Sequence, residues 1–194
     1  MKTHKTSTIP KILYGTAWKE DATESLVSTA LKMGFRGIDT ANQRRHYHEA
    51  AVGNAISQAL KKGITREELF IQTKYTYPNG QDHRIPYDIN ADYKTQVRQS
   101  FQNSLEHLQV EYIDSYVLHG PSVRVGLTQG DREVWMEMEA IHKEGKTIHL
   151  GVSNVSIEQL KLLYKEAKVK PTFVQNRCFA QLGWWYFLAS DIIS

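Results

Sequence analysis

Short apolar runs alternate along this chain with longer stretches in which apolar residues recur every three or four positions. KILYG (11–15) is the first short run, and it is followed by DATESLVSTALKMG, where Leu26, Val27, Ala30 and Leu31 share one helical face. Asp21 and Glu24 are spaced as a capping box at the start of that helix, and Gly34 ends it. The couplet then repeats. FRGIDT precedes EAAVGNAISQALKKG, with Val52, Ala55, Ile56, Ala59 and Leu60 on one side and Gly63 as terminator. LFIQTK leads, through a polar loop, to a helix from about Asp92 to Leu108 that aligns Val97, Phe101, Leu105 and Leu108. IDSYVLHG precedes REVWMEMEAIHKEG, whose inward face is Val134, Trp135, Met138 and Ile141. KTIHLGVSN precedes SIEQLKLLYKEA, with Ser156 at the N-cap and Gln159 completing a box, and PTFVQN is a sixth strand.

Strands that alternate with helices at intervals of roughly 30 residues call for parallel strands joined by crossover helices. Two architectures accept the pattern, an open doubly wound sheet and a (β/α)8 barrel seen through its sixth strand. GTAWKED after the first strand lacks the G-x-G-x-x-G spacing of a dinucleotide-binding half, and there is no P-loop pattern. Polar residues sit instead at strand C-terminal ends: Asp39, Lys74, His119, Ser153, Asn154 and Gln175. In a barrel all of those ends converge on one mouth, so the pattern favours the barrel.

Composition narrows the class. With 41% hydrophobic and 23% charged residues the 194-residue chain is of globular type. A formal charge of +3, spread over short basic runs such as Arg44-Arg45 and Lys61-Lys62, does not point to nucleic acid. Cys178 stands alone, the N-terminal stretch has no apolar leader, and no run approaches the roughly 18 apolar residues of a membrane span. A reducing, cytoplasmic home is the expectation. The run WWYFLASDII, interrupted by Asp191, sets residues 184–194 apart as an atypical tail behind a barrel unit of residues 1–183.

In ILYGTAW, GIDTA, FIQTK, IDSYVLHGP, LGVSNVS and PTFVQNRC, each in order at a strand end, the chain resembles the aldo-keto reductases. The resemblance implies a (β/α)8 TIM-barrel fold, α/β in class, and reduction of aldehydes or ketones with NADPH or NADH. It assigns catalysis to Asp39, Tyr47, Lys74 and His119, and contact with the nicotinamide carboxamide to Ser153, Asn154 and Gln175. The chemistry accounts for these types. Hydride addition to a carbonyl leaves charge on oxygen, so a proton donor must lie within reach of it, and Tyr47 is that donor. An ammonium at Lys74 favours the tyrosinate, Asp39 holds Lys74, and His119 hydrogen-bonds the substrate oxygen. Tyr47 lies eight residues after Asp39, three more than the family spacing, and Arg44 stands at the usual tyrosine position. Relative to the family, the chain is expected to be a barrel truncated after its sixth strand. Open edges on the first and sixth strands then favour self-association.

Two rival readings remain at this level. One is a non-catalytic binding module comparable to the family's potassium-channel beta subunits, in which the barrel binds a partner and the cofactor site is vestigial. The other is a metal-dependent amidohydrolase-like barrel using His46 and His48 as a His-x-His pair. The expectation is no metal, with the two histidines as bystanders around Tyr47.

Overall fold

The computed structural model describes residues 8–177, in which six parallel strands alternate with five α-helices. The strands are β1 (Tyr14–Gly15), β2 (Gly37–Asp39), β3 (Phe70–Tyr75), β4 (Ile113–Leu118), β5 (Thr147–Ser153) and β6 (Phe173–Gln175). The helices are α1 (Thr23–Lys32), α2 (Glu49–Lys61), α3 (Tyr93–Leu108), α4 (Gln129–Lys143) and α5 (Ile157–Glu166). Strand order in the sheet is the order in the chain, β1 to β6, and every pairing is parallel. Residues 184–194, set apart above as a tail, and Cys178 lie outside the described residues.

Contacts across the sheet decide between an open sheet and a barrel. Strands in a sheet are about 4.8 Å apart, so in a flat sheet β2 and β6 would be separated by four spacings, about 19 Å. Yet Gln175 of β6 donates from Nε2 to Asp39 Oδ2 of β2 at 3.0 Å, and Gln72 of β3 donates to Gln175 Oε1 at 3.0 Å. Lower down, Phe70 and Phe173 meet edge to face at 5.7 Å, with the His149 ring 5.4 Å from Phe173. The sheet is therefore curled into the arc of a (β/α)8 barrel, with Phe70, Gln72 and Lys74 of β3 pointing inward and Ile71, Thr73 and Tyr75 facing the helices.

Helix packing follows the sequence stripes. Val97, Phe101, Leu105 and Leu108 of α3 and Val134, Trp135, Met138 and Ile141 of α4 are all buried. On α1, Val27, Ala30 and Leu31 are buried but Leu26 is 39% exposed, so the inward stripe is narrower than its sequence suggests. Asp21 does not cap α1. A 3-10 turn over Glu20–Ala22 precedes the helix and the N-cap is Ala22, with no side-chain cap. Helix α4 begins three residues before the expected Arg132 because Thr128 and Asp131 form a capping box there. The Ser156–Gln159 box of α5 forms as its spacing predicts.

One glycine is required by close approach. A Cβ built on Gly53 of α2 would lie 1.9 Å from the carbonyl oxygen of His107 on α3, so only glycine lets the two helices pack at this depth.

Candidate active site

The C-terminal ends of the strands bring together the acid and the ammonium. Lys74, 1% exposed at the end of β3, donates from Nζ to Asp39 Oδ1 at 2.5 Å and to the Thr40 carbonyl at 2.7 Å. Asp39, 7% exposed, also accepts from Gln72 Nε2 at 2.8 Å and from Gln175 Nε2 at 3.0 Å. A buried ammonium is costly unless it is paired and hydrogen-bonded, and here both conditions are met. Ser115 donates to Gln72 Oε1 at 2.8 Å, so the pair rests on a satisfied polar layer across β2, β3, β4 and β6.

The loop between β2 and α2 absorbs its added length as a turn. The amides of His46 and Tyr47 both donate to the Gln43 carbonyl, and Trp18 N donates to the His46 carbonyl at 2.8 Å. The turn carries Tyr47 back over the pair, with Lys74 Nζ 5.3 Å from its ring centroid. On the other side the His119 ring stands edge-on to Tyr47 at 5.9 Å. Asp39, Tyr47, Lys74 and His119 thus form one cluster. Arg44, at the usual tyrosine position, lines a cavity of about 420 Å³ together with Tyr47, His48, Arg84 and His107.

Electrostatics differ from the sequence expectation for Tyr47. Burial, and then the charge of Asp39, push its phenol up to about 12, with Arg177 opposing. His119 moves the other way: burial first, then the Lys74 ammonium, pull it down to about 3, so its imidazole is neutral at physiological pH.

Ser153, Asn154 and Gln175 lie together at the ends of β5 and β6, where Ser153 is in register with Gln175. Ser153 Oγ donates to the Gln175 carbonyl at 2.6 Å. Asn154 donates from Nδ2 to Ser153 Oγ and to the His119 carbonyl. Asn154 adopts a left-handed backbone, φ 50°, at this bend. Gln72 and Asp39 use one lone pair and one N–H of the Gln175 amide, which has capacity for one more of each. A hydroxyl and two amides beside the cluster suit a planar carboxamide, which needs both donors and acceptors.

Several residues of the site were not singled out from sequence. Gln72 is one; it lies two before Lys74, and strand alternation places both on the barrel's inner face. Thr76, two after Lys74, contacts His119 Nδ1 at 2.6 Å. Glu49, 3% exposed, accepts from Thr73 at 2.5 Å and contacts His107 at 3.2 Å, tying α2 to β3 and α3. His46 and His48 do different work. His46 stacks on Trp18 with ring centroids 3.8 Å apart, whereas His48 is the N-cap residue of α2.

A family model described as the aldo/keto reductase family matches residues 11–181. The chain belongs to the aldo/keto reductase family. Glyoxal reductase of Bacillus subtilis is 35% identical to it over 151 residues, 78% of this chain and 46% of the relative. Methylglyoxal reductase DkgA of Escherichia coli is 35% identical over 149 residues, 77% of this chain and 46% of that protein. Among solved structures, the aldo/keto reductase of Brucella melitensis superimposes with a TM-score of 0.72 at 30% identity, over 88% of this chain and 59% of that one. The Bombyx mori aldo-keto reductase in complex with NADP gives 0.72 at 27% identity, over 89% and 55%. This aldo/keto reductase chain spans about half the length of the curated relatives it matches.

Proposed function

We propose that this protein reduces aldehydes or ketones to alcohols with NADPH or NADH, and that small 2-oxoaldehydes are its substrates. The observation that carries the reading is the buried Lys74–Asp39 pair beneath Tyr47, with His119 edge-on at the opposite side. The substrate class follows from the glyoxal and methylglyoxal reductases among its relatives.

Ser153, Asn154 and Gln175 are the residues that would hold the carboxamide of the dihydronicotinamide, which would supply the hydride when bound. Tyr47 delivers the proton that completes the alcohol. Its phenol at about 12 is fully protonated at neutral pH, and an alkoxide is a much stronger base than a phenolate, so the transfer runs downhill. The tyrosinate left behind is stabilised by Lys74, which Asp39 holds in place, and solvent restores its proton. His119, neutral, donates a hydrogen bond to the substrate oxygen and orients it. Residues 1–183 form the reductase unit in this reading, 184–194 are an appended tail, and a cytoplasmic location suits the lone Cys178.

The test is a fluorescence titration with NADPH followed by turnover of methylglyoxal by the wild type and by Tyr47→Phe. The expected result is NADPH binding and a kcat lowered by about 10² to 10⁴ in the variant, the range for loss of a general acid. Full activity in Tyr47→Phe removes the proton-donor assignment. Absence of NADPH binding removes the reductase reading for this polypeptide.

A further inference from the structure

We propose that Thr76 is a positioning residue for His119: its hydroxyl donates to Nδ1 and fixes the imidazole as the tautomer protonated on Nε2. The inference deepens the reductase reading, because only an N–H on the ring nitrogen away from Thr76 can hydrogen-bond a substrate carbonyl oxygen there.

The geometry supports a fixed donor. Thr76 is 6% exposed, and its Oγ1 lies 2.6 Å from His119 Nδ1. Its backbone is held from two sides, since Tyr87 OH and Gln81 Nε2 both donate to its carbonyl, at 2.6 and 3.3 Å. Its methyl sits against Gly80, where an added Cβ would approach Cγ2 to 2.6 Å, so the side chain has little room to turn. His119 is anchored equally well: its amide donates to the Tyr75 carbonyl at 2.9 Å, and its own carbonyl accepts from Asn154.

The proton count gives the direction. A neutral imidazole has one N–H and one lone pair, and the depressed pKa keeps His119 in that state. Thr76 has one hydroxyl hydrogen, and Nδ1 is the partner its oxygen contacts among the described residues. Were Nδ1 the donor, that buried hydrogen would lose the partner beside it, at the expense of an unmade hydrogen bond. Donation from Thr76 satisfies the hydroxyl and leaves Nε2 protonated. Sequence similarity to a catalytic histidine does not contain this information, because the tautomer is set by a residue 43 positions away.

The test is ¹⁵N NMR of the full chain labelled at histidine, in which protonated and unprotonated ring nitrogens resonate far apart; His119→Gln identifies the signal. The wild type and Thr76→Ser are expected to show the Nε2-protonated form, and Thr76→Val, which keeps the shape and removes the hydroxyl, a mixture of tautomers. In turnover, Thr76→Val is expected to lower kcat about tenfold with KM little changed, the equivalent of one hydrogen bond, and Thr76→Ser to restore it. A wild type protonated on Nδ1, or a Thr76→Val variant with wild-type spectrum and kcat, overturns the proposal. A Thr76-dependent tautomer in a chain that reduces no carbonyl upholds it while removing the reductase reading.

Discussion

Asp39 and Lys74 illustrate how a residue acquires a role from its surroundings. Neither carries unusual chemistry in isolation. Together, buried to within a few per cent and joined at 2.5 Å with Thr40, Gln72 and Gln175 as further partners, they form a satisfied ionic centre. Removing one partner would strand the other charge, whose burial is costly when unpaired. His119 gives the clearest pH signature. Its proton is bound by the unfolded chain near 6.5 but by the fold only at about 3. Between those values the unfolded chain carries the extra proton, so stability is fully present above about pH 6.5 and falls as pH drops toward about 3. The wild type is therefore expected to lose about 2–3 kcal/mol more than His119→Gln between about pH 7 and about pH 4.5 in urea unfolding. Equal losses would show that His119 is not held neutral by the fold.

At the level of elements, the sequence was most legible where local rules are strongest. The α3 and α4 stripes and the Ser156 cap are in place as read. The start of α1 departs from its sequence pattern: Trp18 and Glu20 take left-handed backbone conformations, φ 61° and 46°, and the Trp18 amide is tied to His46 across the mouth. No local signal near Asp21 reports that distant contact. Helix contact gives a prediction with an internal control. Gly53→Ala drives a methyl into the His107 carbonyl and is expected to cost about 1–3 kcal/mol or more, as overpacking does. Ser156→Ala removes only a cap and is expected to cost about 1 kcal/mol. Thermal melts followed by circular dichroism rank the two; a Gly53→Ala protein as stable as the wild type would mean that α2 can move off α3 freely.

On the scale of the molecule, curling is what makes a site. It brings Gln175 to Asp39 across four strand positions and sets His119 beside Tyr47. The same arc leaves β1 and β6 with one strand partner each among the described residues. We propose that strand edges with a single partner pair with a second chain; the melting temperature is then expected to rise with protein concentration, in step with a larger species on size-exclusion chromatography. A melt unchanged across a wide dilution series, with a monomer throughout, would show that those edges do not pair between chains.

The order of strands and helices and the identity of the polar residues at strand ends were determined by the sequence, because periodicity and caps act over a few residues; contacts across the sheet decided for the barrel over an open sheet. Only the tertiary structure decided that the longer loop returns Tyr47 over Lys74, that burial and Asp39 raise its phenol, and that Thr76 reaches His119. Those outcomes depend on distances between segments far apart in the chain, and on the desolvation that arises once the curled sheet and its loops surround them.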